Sequence, residues 1–466
     1  MQRRTFLGLA GLSAASRAFT QETQPPNIVI ALCDDLGAAD LGCTGHPFIR
    51  TPNLDRFAAE GIRFTDFYAA APVCSPSRAG LLTGRTPNRA GIYDWISAGS
   101  PVHLRDSEAT LAALLRERGY ATCLSGKWHL NGLEELEGPG SPGRHGFEHW
   151  FATQNNAAPS HENPVNYYRN GKPAGPLQGY SADLAVAEAV RWMESVPRGR
   201  PLFLYLAFHE PHEPVASAPD LVSLYPQARQ RGEALYYANV TQIDRAFGRL
   251  LEALDQRGAR ANTLVLFSSD NGPEWLDRYQ TAWRSHGSAG LLRSRKLSLY
   301  EGGIRVPGLL RWPARVAPGR IVRAPACLLD VLPTVCEITG ARRPPKPLDG
   351  ESLAPLLAAQ DWQRRRPLHW HYFNSIDPPR AALREGDWKI LGIGEDNGAR
   401  RAGGGFRPGD LPRVKEVPLN RFELYNLRED PREERDLWRS GPERARRMAQ
   451  RLVEIDAEVR REAPSW

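Results

Sequence analysis

No stretch of the 466-residue sequence is long and apolar enough to cross a bilayer, so no membrane span is expected. Cysteine is scarce, at 6 residues, which is too few for a disulfide scaffold in a chain of this length. A long basic arm is missing too. The 60 Lys and Arg residues exceed the 53 Asp and Glu by a formal +7, and they are dispersed apart from short clusters such as Arg364, Arg365 and Arg366. Nucleic acid is therefore not an expected partner, whereas a mild positive field suits an anionic small substrate. A hydrophobic content of 41% supplies a core for one large domain and a smaller one.

Residues 1–20, "MQRRTFLGLAGLSAASRAFT", carry an Arg3-Arg4 pair, a short weakly apolar run over 6–15, and then small residues. That order reads as a cleaved export signal of twin-arginine type, which implies an exported, periplasmic or secreted protein.

Strand and helix signals alternate beyond it. "NIVIALC" (27–33) is a buried-strand pattern ending in Asp34 and Asp35, and "TPNLDRFAAEG" brings an N-cap threonine, a first-turn proline and a closing glycine. Helical "SEATLAALLRERGY" feeds "ATCLSG", helical "SADLAVAEAVRWMESV" feeds "PLFLYLAF", and a long helix over 233–257 feeds "NTLVLFSSD". Continuous apolar strands separated by amphipathic helices predict an α/β fold, a mostly parallel mixed sheet sandwiched by helices. Cys33 and Cys123 fall in or beside such strands as buried free thiols. Cys327 and Cys336 are expected in one helix, on different faces.

The polar residues collect just after the strands: Asp34 and Asp35, Lys127 and His129, His209 and His212, Asp270 and Asn271. In an open α/β sheet that edge binds ligands. Taken singly, paired aspartates are more often a turn or helix cap than a ligand pair, and each lysine or histidine a surface charge or a satisfied core group. Taken together, Asp34, Asp35, Asp270 and Asn271 form a set of hard oxygen donors suited to Ca²⁺ or Mg²⁺ rather than zinc. Arg78, Lys127, Lys296, His129 and His212 add the charges and proton carriers of a pocket for a tetrahedral oxyanion.

"PVCSPSRAGLLTGR" (72–85) places Cys74 at what reads as a helix start, shortly before Pro76 and Arg78. Three readings compete: a packed core cysteine, a thiolate nucleophile, and a cysteine replaced chemically before use.

"CSPSRAGLLTGR" resembles the signature of the type I, formylglycine-dependent sulfatases, C-x-P-S-R-x-x-x-L-x-T-G. "NIVIALCDDLGAADLGCTG", "GKWHL", "PHEP", "SSDNG", "KLSLYEGGIRVPGLLRWP" and "DVLPTVCEITG" resemble the family's successive blocks, in its order, and "ALREGDWKIL" and "FELYNLREDPREERDL" those of its small second domain. The resemblance spans 26–440 and is to the arylsulfatase A and N-acetylgalactosamine-6-sulfatase-like branch. It implies an alkaline-phosphatase-like catalytic domain over 26–345. A C-terminal α+β domain with an antiparallel sheet and a closing helix is expected over 351–466.

The resemblance also answers the question about Cys74: a separate maturing enzyme, reading Pro76 and Arg78, oxidises it to formylglycine. Asp34, Asp35, Asp270 and Asn271 are then the metal ligands, joined by position 74, with Ca²⁺ as the ion and Mg²⁺ as the alternative. Arg78 stabilises the hydrated aldehyde and Asp270 helps deprotonate it. Lys127, Lys296 and His212 neutralise sulfate, His212 protonates the departing alcohol, and His129 takes a proton as sulfate leaves. In "FHEPHEP" both His209 and His212 stand two residues before a proline, and His212 is the preferred one. Lys296 is preferred to Arg293 and Arg295 from its spacing to Glu301. A phosphonate monoester or phosphodiester hydrolase of the same superfamily is the alternative reading.

Trp95, His103, "FATQNNAAPSHENPVNYY" (151–168) and "HWHYFN" (369–374) supply aromatics and amides suited to sugars, though His369 and His371 equally suit packing of the small domain against the large one. The expected substrate is a sulfated carbohydrate, a galactose or N-acetylgalactosamine sulfate being favoured. The proline-rich "ARRPPKPLDG" (341–350) is expected to join the two domains over the surface, and "GEDNGARRAGGGFRPGD" (394–410) to be a loop at the mouth.

Overall fold

The computed structural model describes residues 24–394 and 405–466; the export-signal reading of 1–20 and most of the 394–410 loop lie outside them. Five strands stand side by side and parallel at the centre of a ten-stranded sheet: Thr263–Ser269, Asn27–Asp34, Leu202–Pro211, Ala121–Lys127 and His149–Thr153. Antiparallel Gly308–Arg311 borders them on one side, followed by Ile62–Phe64 and Arg320–Val322. The short antiparallel pair Tyr168–Arg169 and Lys172–Pro173 borders them on the other. The sheet is thus mixed, mostly parallel at its heart.

Alternation along the first strand divides the core in two. Ile28, Ile30 and Leu32 face the helices Cys74–Thr83, Leu111–Glu117 and Val331–Thr339, where they pack with Leu81, Leu111 and Leu332. Val29, Ala31 and Cys33 face Pro52–Ala59, Ser181–Ser195 and Arg231–Gln256, meeting Phe57, Ala185 and Phe247. Because both faces are covered, the strands read as continuous apolar runs rather than alternating ones.

The local signals hold with small changes. Thr110 caps Leu111–Glu117 by accepting from Ala113 N at 3.2 Å. Thr51 occupies the N-cap of Pro52–Ala59, but its hydroxyl donates to Asp55 Oδ1 at 2.9 Å instead of capping. All six cysteines are free. Cys327 is not in the helix with Cys336, as expected, but in the strand Ala326–Cys327. There its N–H donates to Asp330 Oδ2 at 2.7 Å and turns the chain into the helix that follows.

Leu368–His371, Pro379–Glu385, Trp388–Gly394 and Leu419–Asn426 form the second, wholly antiparallel sheet. The helix Pro442–Glu462 closes one face, burying Ala445, Met448 and Leu452 against Leu383, Ile390 and Leu424. The other face, through Trp370, Ala382, Leu391 and Tyr425, belongs to the same core as Ile28 and Leu81. The small sheet therefore has no separate interior on that side.

A buried ion cluster fastens it further. Lys389 Nζ lies 2.9 Å from Glu301 Oε1 and 2.9 Å from Glu433 Oε1, with all three side chains fully inaccessible. Burial alone would raise Glu301's pKa, but Lys389 and then Arg305 hold it below the usual carboxylate range. Removing one member of such a cluster leaves an uncompensated charge in the interior. Lys389→Met should therefore lower unfolding stability by about 3–5 kcal/mol, read by denaturant titration; a change within ±0.5 kcal/mol would show that the cluster does not fasten the small sheet.

Candidate active site

The carboxyl ends of the central strands meet at one edge, and the polar residues read from the sequence converge there. Asp34 ends the first strand, and Asp35 follows in the left-handed region at φ 65°. Asp270 follows Thr263–Ser269 and its N–H donates to Cys33 O at 3.0 Å, which fixes the two strand ends together. Asn271 Nδ2 donates to Asp35 Oδ1 at 2.6 Å. Lys127 ends its own strand and places Nζ 2.5 Å from Asp34 Oδ2 and 3.1 Å from Asn156 Oδ1.

Cys74 is the first residue of the buried helix Cys74–Thr83, and Arg78 stands one turn later on the same face. Arg78 Nε and Nη2 reach Asp270 Oδ2 at 2.9 and 2.7 Å, Nη2 lies 3.5 Å from Asp34 Oδ2, and Nη1 donates to Lys127 O at 3.1 Å. Lys296 Nζ contacts both Asp35 oxygens, at 2.6 and 2.8 Å, with Glu274 Oε2 at 3.6 Å. The turn bringing Lys296 in depends on glycine: a Cβ on Gly302 would meet Ser294 O at 2.1 Å, and one on Gly303 would meet Ser298 O at 2.1 Å.

Cys74, His129, His212 and Lys296 open into a cavity of about 590 Å³. His212 Nδ1 donates to Glu213 O at 2.6 Å, which leaves Nε2 facing Asp35 Oδ2 at 3.6 Å. His209 does not reach the cavity. Its Nε2 pairs with Thr153 Oγ1 at 2.7 Å and its Nδ1 with Tyr167 OH at 3.2 Å, inside the fold. His129 Nε2 lies 3.0 Å from Ile96 O, while its Nδ1 has no hydrogen-bond partner.

The sulfatase family model matches residues 26–341. Arylsulfatase A of Bos taurus is 36% identical over 482 residues, covering 96% of this chain and 88% of the relative. The chain belongs to the sulfatase family. N-acetylgalactosamine-6-sulfatase of Homo sapiens is 36% identical over 359 residues, 72% of this chain and 66% of that one. The solved structure of Ps i-CgsB in complex with k-i-k-neocarrahexaose is similar at a TM-score of 0.78 and 27% identity, over 93% of both chains. This sulfatase is thus a sulfuric ester hydrolase with the alkaline-phosphatase-like fold.

Burial dominates the electrostatics of the sulfatase pocket. It would raise Asp34, but Lys127, with His212, Arg78 and Lys296 behind it, holds that carboxyl well below the usual range. Burial and the neighbouring Asp34 charge push Asp270 up to about 7 against the pull of Arg78. Burial lowers His212, and Lys296 lowers it further. The Cys74 thiol is pushed up to about 11 by burial, although Lys127 and Lys296 pull it down.

Asp34 Oδ1 and Asn271 Oδ1 are buried without any donor, although an unsatisfied buried acceptor costs about 1–3 kcal/mol. A divalent cation held by carboxylate and amide oxygens would satisfy both, and this donor set fits Ca²⁺ or Mg²⁺. Among the described residues, carboxylate and imidazole ligand atoms come within 4.8 Å of one another at Asp34, Asp35 and His212. Asp270 lies beside that group, its carboxylate taking Arg78 Nη2 at 2.7 Å and the Asp35 N–H at 3.3 Å. An imidazole is the softer donor, so the oxygen set is the better fit.

The wall of the cavity differs from the expected one. Trp95, Asn155 and Asn156 line it, but His103 does not; it packs edge-on to Trp466 at 5.0 Å between ring centres. His369 and His371 are also elsewhere, bonded to Asp456 Oδ1 of the closing helix at 3.3 and 2.7 Å. Glu213, Glu274, Arg278 and Tyr279 were not legible as wall residues. Two of them had a signal, Glu213 inside "PHEP" and Glu274 two residues after "SSDNG".

The two histidines of "FHEPHEP" give a direct comparison. His212→Ala should lower kcat by roughly 10²–10⁴ with little change in melting temperature. His209→Ala should lower the melting temperature and retain most activity. Steady-state rates and thermal melts of both variants check this, and equal losses of activity would contradict it.

Proposed function

We propose that this sulfatase hydrolyses the sulfate ester of a sulfated carbohydrate, using a formylglycine made from Cys74 by a maturing enzyme, and a divalent cation. The observation that carries the proposal is the setting of Cys74. Its thiol is buried and held neutral, which is wrong for a thiolate nucleophile, yet it borders the cavity beside His129, His212 and Lys296. A side chain due to be replaced needs the position and not the thiolate.

Asp34, Asp35, Asp270, Asn271 and position 74 would hold the cation, Ca²⁺ first and Mg²⁺ as the alternative. A divalent cation bound there lowers the pKa of an oxygen nucleophile and draws charge from sulfate oxygens. Oxidised to formylglycine and hydrated, position 74 supplies an attacking hydroxyl and a second one through which sulfate is released.

The chain's own groups do the rest. Lys127, Lys296 and His212 neutralise the sulfate oxygens and Arg78 stabilises the hydrated aldehyde, with little reorganisation needed as charge develops. His212, its Nδ1–H committed to Glu213 O, carries the proton for the departing alcohol on Nε2. His129, with Nε2–H turned to Ile96 O, offers bare Nδ1 as the acceptor of the last proton. Trp95 and Tyr279 supply faces for sugar rings, and Asn155, Glu213 and Glu274 hydrogen-bonding groups for hydroxyls. The same reading includes export by the Arg3-Arg4 signal; among the described residues no helix is long and apolar enough to cross a membrane.

Mass spectrometry of the peptide spanning position 74 is the decisive experiment. Conversion should lower its mass by roughly 18 Da, and hydrolysis should track the converted fraction across preparations made with and without a maturing enzyme. Full activity with an intact thiol would overturn the mechanism.

Chelation should abolish turnover, with Ca²⁺ or Mg²⁺ restoring it. The converted, metal-loaded enzyme should then prefer sulfated saccharides to simple aryl sulfates, and sulfate esters to matched phosphate esters. Faster hydrolysis of the aryl sulfates than of every saccharide would sink the carbohydrate assignment.

A further inference from the structure

His129 is held from a distance by the small domain. Its Nε2 lies 3.0 Å from the carbonyl of Ile96, which also accepts from Gln154 Nε2 at 3.2 Å. The N–H of Ile96 donates to Ser75 Oγ at 3.1 Å, next to Cys74, and the preceding Trp95 lines the cavity. Segment 91–96 therefore touches the machinery on one side through Trp95 and Ile96.

Its other side is gripped by small-domain residues. Trp466 Nε1 donates to Gly91 O at 2.6 Å, and Tyr93 OH donates to Pro464 O. Asp94 accepts from Tyr372 OH at 2.9 Å and Asn374 Nδ2 at 3.1 Å. The Arg105 guanidinium stacks 4.4 Å over the Trp466 ring, and Arg89, just before the segment, pairs with Glu458 at 2.8 Å and with Glu462 on the closing helix.

We propose that residues 463–466, with Tyr372, form a strap that sets segment 91–96 so that Ile96 O fixes the His129 ring, at the cavity wall, with Nε2 protonated and Nδ1 bare. Trp466, Tyr93 and Tyr372 are positioning residues: they touch no reacting atom, and act through one carbonyl. A carbonyl can only accept, so the ring nitrogen that faces it carries the proton, and its location selects the ring tautomer as well as the ring angle. This inference rests on the role given above to His129 in sulfate release. A loosened strap should therefore slow the second half of the reaction and spare binding and the first half.

The test uses full-length, converted, metal-loaded enzyme with Trp466→Ala, Tyr372→Phe and Tyr93→Phe, and His129→Ala as reference. With an activated aryl sulfate, the strap variants should lose roughly 10- to 100-fold in kcat, as expected for small misplacement of a catalytic group. KM should not rise, and the aryl alcohol should appear in a burst of about one equivalent per active site before sulfate. A second readout needs no turnover: ¹⁵N spectra of ring-labelled histidines in protein with an unmodified Cys74. The His129 signal, assigned by its loss in His129→Ala, should show protonated Nε2 and bare Nδ1, and should average between tautomers in Trp466→Ala.

If His129→Ala shows no burst, the release role of His129 fails, and the strap's proposed effect on release with it. If His129→Ala bursts while the strap variants keep wild-type kinetics and the wild-type ring signal, the strap inference alone is overturned. Lower melting temperature with unchanged kinetics and ring signal would likewise reduce the strap to a structural fastening. Tyr93→Phe and Tyr372→Phe each remove one hydroxyl, so they keep the test alive should Trp466→Ala fail to fold.

Discussion

The fold is arranged around a buried exchange of charge at the ends of four parallel strands. Asp34, Asp35 and Asp270 are buried, and each remains tolerable only because Lys127, Lys296 or Arg78 lies within ion-pair distance. The partners come from different parts of the chain: Lys127 from a strand end, Lys296 from a glycine-dependent turn, Arg78 from a buried helix. Desolvating such ions is repaid only by close geometry, so the positions of these segments are tightly coupled. The two acceptors left without donors, on Asp34 and Asn271, mark where the pairing among side chains stops and an oxygen-seeking cation would complete it.

Much of this edge was legible because parallel strands covered on both faces announce themselves as unbroken apolar runs. "NIVIALC", "ATCLSG", "PLFLYLAF" and "NTLVLFSS" correspond to the adjacent strands Asn27–Asp34, Ala121–Lys127, Leu202–Pro211 and Thr263–Ser269, and the residues directly after or ending them form the site. The resemblance of the Cys74 segment added the chemistry that spacing alone left open among three readings.

The failures have physical causes of their own. The strand Leu202–Pro211 runs past its apolar stretch through His209 and Glu210, which a hydropathy pattern would exclude. Both find partners inside the fold: His209 in Thr153 and Tyr167, and Glu210, through Oε1, in Ser181 Oγ and Ala182 N. A buried polar group with partners leaves no mark in composition. His369 and His371 fail in the opposite direction. Sitting in an aromatic stretch, they read equally as sugar contacts and as packing of the small domain on the large one, yet both bond to the buried carboxylate of Asp456, which Arg460 of the same helix also pairs, and so hold the closing helix to its sheet. Arg278 and Tyr279 had no signal, because the wall of a pocket is chosen by loop path, which local patterns do not encode.

The small sheet bears on the chemistry because it is not an appended module. One face is continuous with the core beneath Cys74, and Lys389 plants a buried cation between Glu301 and Glu433. Glu301 begins the short helix that follows the Lys296 turn, and it also takes Tyr68 OH at 2.7 Å from the segment leading to Cys74. One carboxylate thus links the lysine turn, the approach to Cys74 and the small sheet. A catalytic group held to a fraction of an ångström needs neighbours that cannot relax, and buried charge supplies that rigidity more strictly than apolar packing, which tolerates sliding. The second domain of this sulfatase is in that sense part of the frame of its active site.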